Sequence, residues 1–266
     1  MAEPAHPWRR YVALGDSLTE GLADPYPDGS PRGWADRFAQ HLADAAGGPI
    51  EYANLAIRGR LLGPIVAEQL EPALAMKPDL ISLWGGGNDI LRPRADVDAI
   101  TAQLEHAVVR LREAGIEVII GTGIDAKDSP VLELTRPRTG IYNANVWSIA
   151  RRHGAHVIDV WGMRCLKDWQ LWHDDRLHFN GIGHERVSQA ALVAVGLPAR
   201  PGWDEPLPPL PVKSRKEWLQ WQLDWAREHA GPWIGRRIRR TSSGAGRTAK
   251  LPDYVSVPPQ SPDAAQ

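Results

Sequence analysis

The chain has 266 residues, 43% of them hydrophobic and 24% charged, which is enough for a sizeable core and too apolar for a wholly disordered protein. A net charge of −1 excludes a global pull toward nucleic acid or membrane. The single cysteine, Cys165, excludes an intramolecular disulfide, Met1 to Arg10 lack the apolar stretch of a signal peptide, and no run approaches the roughly 18 apolar residues of a spanning helix, so the expected setting is the cytoplasm.

Tyr11 to Leu14 form a short apolar run that ends at Gly15 and predicts a first strand. Trp34, Phe38 and Leu42, spaced four apart, predict a helix over 34–46. Ile50 to Leu55 read as a second strand, and 61–75 as a helix whose ends are blurred by Pro64 and Pro72. Asp79 to Trp84 form a third strand that runs into Gly85-Gly86-Gly87. Over 96–114, Ile100, Leu104, Val108 and Leu111 share one face of an amphipathic helix, with Gly115 as its stop. A strand at Ile116 to Ile120, a helix at 142–153, a strand at His156 to Val160 and a helix at Gly183 to Val195 complete the series. Strands that alternate with crossover helices imply parallel pairing with helices on both faces, a three-layer α/β domain over 1–197. Ligands of such sheets bind outside the carboxyl ends of the strands.

After Leu197 the composition changes. Six prolines between Pro198 and Pro211 mark 198–212 as a linker. Residues 213–240 read as a Trp-rich, basic helical extension, in which Trp218, Trp221 and Trp225 make one stripe and Arg236, Arg237, Arg239 and Arg240 follow. Residues 213–250 carry ten Lys or Arg against three Asp or Glu. The stripe either packs on the main domain, the expected outcome, or gives a weak membrane-surface contact in which aromatic rings enter the headgroups and arginines meet anionic lipid. The Ser, Gly, Pro and Ala content of 241–266 predicts a disordered tail. Nothing in the sequence fixes an oligomeric state.

The residues that carry chemistry fall at strand ends. Gly15-Asp16-Ser17 follows the first strand and places a serine on a turn. A hydroxyl is a weak nucleophile until a base accepts its proton, and His178 is the candidate base. Asp175 precedes it by three residues, so a helical turn there would bring the carboxylate to the imidazole, fixing its tautomer and stabilising the imidazolium. Acyl transfer also needs donors for the developing oxyanion: the amide of Asn88 after the triple glycine, the backbone N–H of Gly59 after the second strand, and that of Ser17. Each element alone is common in structural turns; their joint occurrence in this order, each at a strand end, is not.

Taken together these motifs resemble the SGNH hydrolases, also called GDSL esterases and lipases. Gly15 to Gly21 match the first block, Asn54 to Gly59 resemble the second, Gly86-Gly87-Asn88-Asp89 match the third, and Asp175-Arg176-Leu177-His178 match the fifth. The resemblance covers about residues 9–197. It implies a flavodoxin-like, parallel five-stranded sheet, a triad of Ser17, His178 and Asp175, and an oxyanion hole from Ser17, Gly59 and Asn88. It also implies a small-molecule, lipid or acylated-sugar ester as substrate, with no cofactor, no metal and no nucleic-acid partner. A thioesterase or carbohydrate deacetylase is the alternative on the same fold, and a non-catalytic binding protein is the alternative of a different class. Arg60 departs from the block, where a small polar residue is usual, and is expected to be solvated. His184 reads as a satisfied structural or helix-surface histidine, Cys165 as a buried small hydrophobe, and His173 and Asp174 as bystanders rather than metal ligands.

Overall fold

The computed structural model describes residues 6–127, 129, 132–211, 214–225, 227–228 and 243–260. Four successive apolar residues without polar alternation suit a strand covered on both faces. Accordingly β1 (Arg10–Gly15) is buried from Tyr11 onward and lies inside the sheet. β2 (Ile50–Asn54) and β3 (Leu80–Trp84) flank it in parallel; β4 (Glu117–Gly121) and β5 (His156–Ile158) extend the β3 side. The order is β5-β4-β3-β1-β2-β6.

The helices share out the two faces. On one, α2 (Gly33–Ala46) packs on α7 (Gly181–Ala194) and buries Trp34, Phe38 and Leu42 completely. On the other, α3 (Leu62–Ala75), α5 (Val97–Glu113) and α6 (Arg136–His153) bury Ile65, Leu104, Val108 and Val146. The four-residue spacing read from 34 to 42 and from 100 to 108 is thus the core-facing stripe of each helix. Single-turn helices α1 (Ser17–Glu20) and α4 (Gly87–Ile90) open directly from the loops after β1 and β3. α6 begins at Arg136, six residues before the predicted start, because its first turns are polar and Pro137 is tolerated there.

The five expected parallel strands are present as β1 to β5, and one expectation needs correction: the tail expected to be disordered from 241 supplies a sixth strand. β6 (Leu251–Val257) pairs antiparallel with β2, with Val257 opposite Ile50 and Val255 opposite Tyr52. A strand carrying Pro252 is confined to a sheet edge, and the open edge of β2 is such a place. The Ser-, Gly- and Pro-rich flanks hide a seven-residue strand when composition is averaged over the tail. The linker is laid along the main domain, with Trp203 and Leu207 packed against its core. Of the extension, α8 (Arg215–Trp225) lies within the described residues, while Arg236, Arg237, Arg239 and Arg240 lie outside them. No helix among the described residues is long and apolar enough to cross a membrane.

The returning tail is fastened by a buried charge. Lys250 Nζ lies 2.7 Å from Asp36 Oδ1 and donates to the carbonyls of Pro31 and Arg32, while Tyr52 and Tyr26 donate to the same carboxylate. The side chains of Lys250 and Asp36 are 12% and 5% exposed. Removing one partner of such a pair strands the other, at about 3–5 kcal/mol. Lys250→Met is therefore expected to lower the urea midpoint strongly, and the double variant Asp36→Asn/Lys250→Met to recover part of the loss. Additive losses in the double variant would mean the two groups are not coupled.

Candidate active site

β1 and β3 end level with one another, Gly15 opposite Trp84. A β-carbon on Gly15 would sit 2.5 Å from the Trp84 carbonyl oxygen, so only glycine fits where the two strands hand over to their loops. Beyond its last ladder bond, Gly15 is held by a buried side chain: Gln69 Oε1 accepts from its N–H at 2.9 Å and Gln69 Nε2 donates to its carbonyl at 3.0 Å. Asp16 then caps α1 by accepting from Leu18 N–H, which sets Ser17 on the first helical turn. Asn88 emerges beside it after β3, and Gly59 stands in the loop after β2 with φ +74°.

The residues the sequence singled out converge here. His178 Nε2 is 2.9 Å from Ser17 Oγ, and His178 Nδ1 is 2.7 Å from Asp175 Oδ2. The carboxylate fixes the tautomer: Nδ1–H donates to Asp175, which leaves Nε2 to accept from the serine hydroxyl. Asp175 and His178 meet without a helical turn. Asp175 Oδ1 instead accepts from the N–H groups of Leu177 and His178, at 2.9 and 3.0 Å, while Arg176 adopts φ +57°. The loop is closed by His173 N–H donating to the His178 carbonyl and by a Trp172–Phe179 bridge. Burial alone would raise the Asp175 carboxyl; the hydrogen bond and charge of His178, with the two backbone N–H groups, outweigh it and hold the group well below the usual carboxylate range.

Asn88 is placed as expected but is not idle. Its Nδ2 donates to Asp16 Oδ2 and to the Arg60 carbonyl, both at 3.0 Å, so both amide hydrogens have acceptors. Burial pushes the Asp16 carboxyl up to about 6. Arg60 pairs with Glu68 at 2.9 Å rather than standing solvated. Cys165 is buried and free, and Asp174 is exposed at the loop tip. His173 Nδ1 accepts from Asp175 N–H.

Several positioning residues escaped the sequence reading. Buried Glu20 accepts from Arg58 N–H and from its guanidinium, tying the Gly59 loop to the first block. Tyr142 donates to the Gly85 carbonyl and Asp89 accepts from Leu62 N–H, fixing the third block from two sides. A charge three residues after Ser17 and another just before Gly59 were the available signal for the first of these ties, and distance in sequence concealed their pairing.

A half-buried serine hydroxyl, a tautomer-fixed imidazole and a half-buried carboxylate, hydrogen-bonded in series at the switch point of a parallel three-layer sheet, are the arrangement of the α/β serine hydrolases. Residues 13–186 match the GDSL-like Lipase/Acylhydrolase family, and the chain belongs to that family, one of ester-cleaving hydrolases. Solved structures agree in fold. An acetylxylan esterase from Geobacillus stearothermophilus is 21% identical, with 73% of this chain and 97% of that one covered at a TM-score of 0.59. An α/β hydrolase enzyme from the metagenome of Lake Arreo, Spain, is 22% identical over 71% and 95%, with a TM-score of 0.59. A psychrotrophic esterase from Pseudoalteromonas sp. is 18% identical over 71% and 97%, with a TM-score of 0.56. No curated protein sequence matches the chain.

His184 is the satisfied structural histidine the sequence suggested, though fully buried. Its Nδ1 accepts from Trp34 N–H and its Nε2 donates to the Leu22 carbonyl, joining the loop after α1 to α2. Burial pulls its imidazole down to about 4, from 6.5. The folded state therefore holds it neutral, and its contribution is full above about 6.5 and lost as pH falls toward about 4. Asp16, raised rather than lowered, gives a slope of opposite sign that cancels when two proteins are compared. His184→Gln should flatten the acid-side loss of stability, by roughly 3 kcal/mol at most, in urea unfolding between pH 7 and 4.5. Parallel pH profiles would assign the acid sensitivity to other groups.

Proposed function

We propose that the protein hydrolyses carboxylic esters through an acyl-enzyme, with Ser17 as nucleophile, His178 as base and then acid, and Asp175 as the carboxylate that orients it. The observation that carries this reading is the unbroken relay of 2.7 and 2.9 Å from Asp175 through His178 to Ser17 Oγ. Ser17 Oγ attacks the ester carbonyl as its proton passes to His178 Nε2, which returns it to the leaving alcohol; water then cleaves the acyl-serine by the same route. The oxyanion of each tetrahedral intermediate is bound by the N–H groups of Ser17 and Gly59 and by Asn88 Nδ2. Since the Arg60 carbonyl now accepts from Asn88, the oxyanion takes that hydrogen from a neutral acceptor. A charged acceptor forms the stronger bond, so the exchange favours the transition state over the resting site.

For the substrate, the likeness to an acetylxylan esterase supports a carbohydrate deacetylase as the second reading, on the same residues. A thioesterase would use the same relay, whereas a non-catalytic binding protein would have no use for it. We place the enzyme in the cytoplasm, in keeping with its single, buried cysteine.

The test is direct. A fluorophosphonate probe should label the wild-type protein on Ser17, and Ser17→Ala should abolish both labelling and nitrophenyl-ester hydrolysis while melting normally. Near-normal hydrolysis by a clean Ser17→Ala preparation would remove the serine from the mechanism. Asn88→Ala should lower turnover by about 10²–10³ with little change in KM, as expected for a donor that acts in the transition state. A change confined to KM would make Asn88 a ground-state contact.

A further inference from the structure

The loop that carries Asp175 and His178 holds an unusual residue between them. Arg176 is only 5% exposed and stands at φ +57°, a conformation costly for a branched-chain-free but β-carbon-bearing residue. Its Nε and Nη2 have no hydrogen-bond partner, although both are buried. Three tryptophans surround it instead. Its guanidinium carbon lies 3.7 Å from the ring centre of Trp221, 4.7 Å from that of Trp225 and 6.0 Å from that of Trp169. A weakly hydrated, planar cation is the side chain that aromatic faces can hold without a full set of acceptors.

Two of those rings come from α8. Two hydrogen bonds join the same helix to the same loop: Arg176 Nη1 donates to Gln222 Oε1 at 2.7 Å, and Trp225 Nε1 donates to the Asp175 carbonyl at 3.2 Å. Leu219 and Leu223 of the same helix, by contrast, are 47% and 53% exposed. The family match ends at residue 186, and α8 lies beyond it. It has settled on the one loop that carries both His178 and Asp175.

We propose that α8 is a working part of the active site, in which Trp225 and Arg176 are positioning residues that hold the Asp175–His178 loop in register with Ser17. The inference rests on the roles proposed for those three residues. Without the tryptophans, Arg176 regains water, its left-handed turn loses its support, and the Asp175 carbonyl loses its donor. The hydrogen bond from Ser17 to His178 then samples longer distances. Misplacement by about 1 Å is enough to cost up to about 10²-fold in turnover.

The test uses the full chain and four variants: Trp225→Ala, Trp225→Phe, Arg176→Ala and, as a control for lost stability alone, Val108→Ala in the core on the opposite sheet face. Activity on a short nitrophenyl ester and the rate of fluorophosphonate labelling are read well below the melting temperature of each. Expected are a fall in turnover of about 10- to 100-fold for Trp225→Ala and Arg176→Ala with KM nearly unchanged, and a parallel fall in labelling rate. Trp225→Phe, which keeps a ring but lacks the N–H, should fall between, and Val108→Ala should keep its turnover. Wild-type turnover and labelling in Trp225→Ala and Arg176→Ala would overturn the proposal and leave the Ser17 reading standing. So would losses that track melting temperature and match those of Val108→Ala. A wild-type protein that the probe does not label would instead remove the Ser17 reading, and the proposal with it.

Discussion

The close approach of β1 and β3 at Gly15 and Trp84 is the constraint on which the site depends. With no β-carbon to hold the strands apart, both chains leave the sheet at one level, and Ser17 and Asn88 rise from adjacent loops. The same approach explains why Asp16 can reach Asn88 at 3.0 Å across 72 positions of sequence. A side chain at Gly15 would collide with the Trp84 carbonyl and with Thr19 of α1, the turn that carries Ser17. The parallel order of the sheet supplies the rest, because the loop after β2 enters from the neighbouring strand and that before α7 closes over the top.

Carboxylates do much of the local fixing, each by a different means. Asp16 caps α1 and holds Asn88; Glu20 secures the Gly59 loop through Arg58; Asp89 caps α3; Asp175 caps its own loop while orienting His178. Asp24 gathers Arg32, Arg37 and the Gly33 N–H beneath the loop after α1. Their protonation follows their company. Asp24 and Asp175, which face cations or a histidine, are held low despite burial, whereas Asp16 is raised by burial and by the Asp89 carboxylate, which neutral donors and His178 do not outweigh. Charge in the first block is thus structural support for the serine rather than chemistry of its own.

The sequence made the parallel domain legible because its strands and helices obey simple periodicities: the run at Tyr11 to Leu14, the four-residue steps at Trp34 and Ile100. The site was legible because the chemistry sits at strand ends, where a Gly-Asp-Ser turn or a Gly-Gly-Asn-Asp turn stands out. What escaped was set by contacts rather than by pattern. The polar first turns of α6 give no apolar stripe. The Asp175 loop is shaped by its own carboxylate, which spacing alone cannot distinguish from a helical turn. The docking of α8 depends on Arg176, whose meaning is invisible until three tryptophans from two segments meet around it. β6 is short, interrupted by Pro252, and recognisable only once β2 is known to have an open edge.

The placement of β6 also dictates what lies above the site. α7 packs beside β5 at one edge of the sheet, and β6 pairs at the other, so the chain after residue 197 must cross the sheet to reach Leu251. With strands about 4.8 Å apart, that crossing spans roughly five intervals, on the order of 24 Å. On the way α8 meets the Asp175–His178 loop, and Gly244 packs so tightly on the Arg58 carbonyl that a β-carbon has no room there, one residue from Gly59. Among the described residues, the chain beyond residue 197, which reads in sequence as an appendage, therefore both covers the edge of β2 and touches two of the loops that build the site around Ser17.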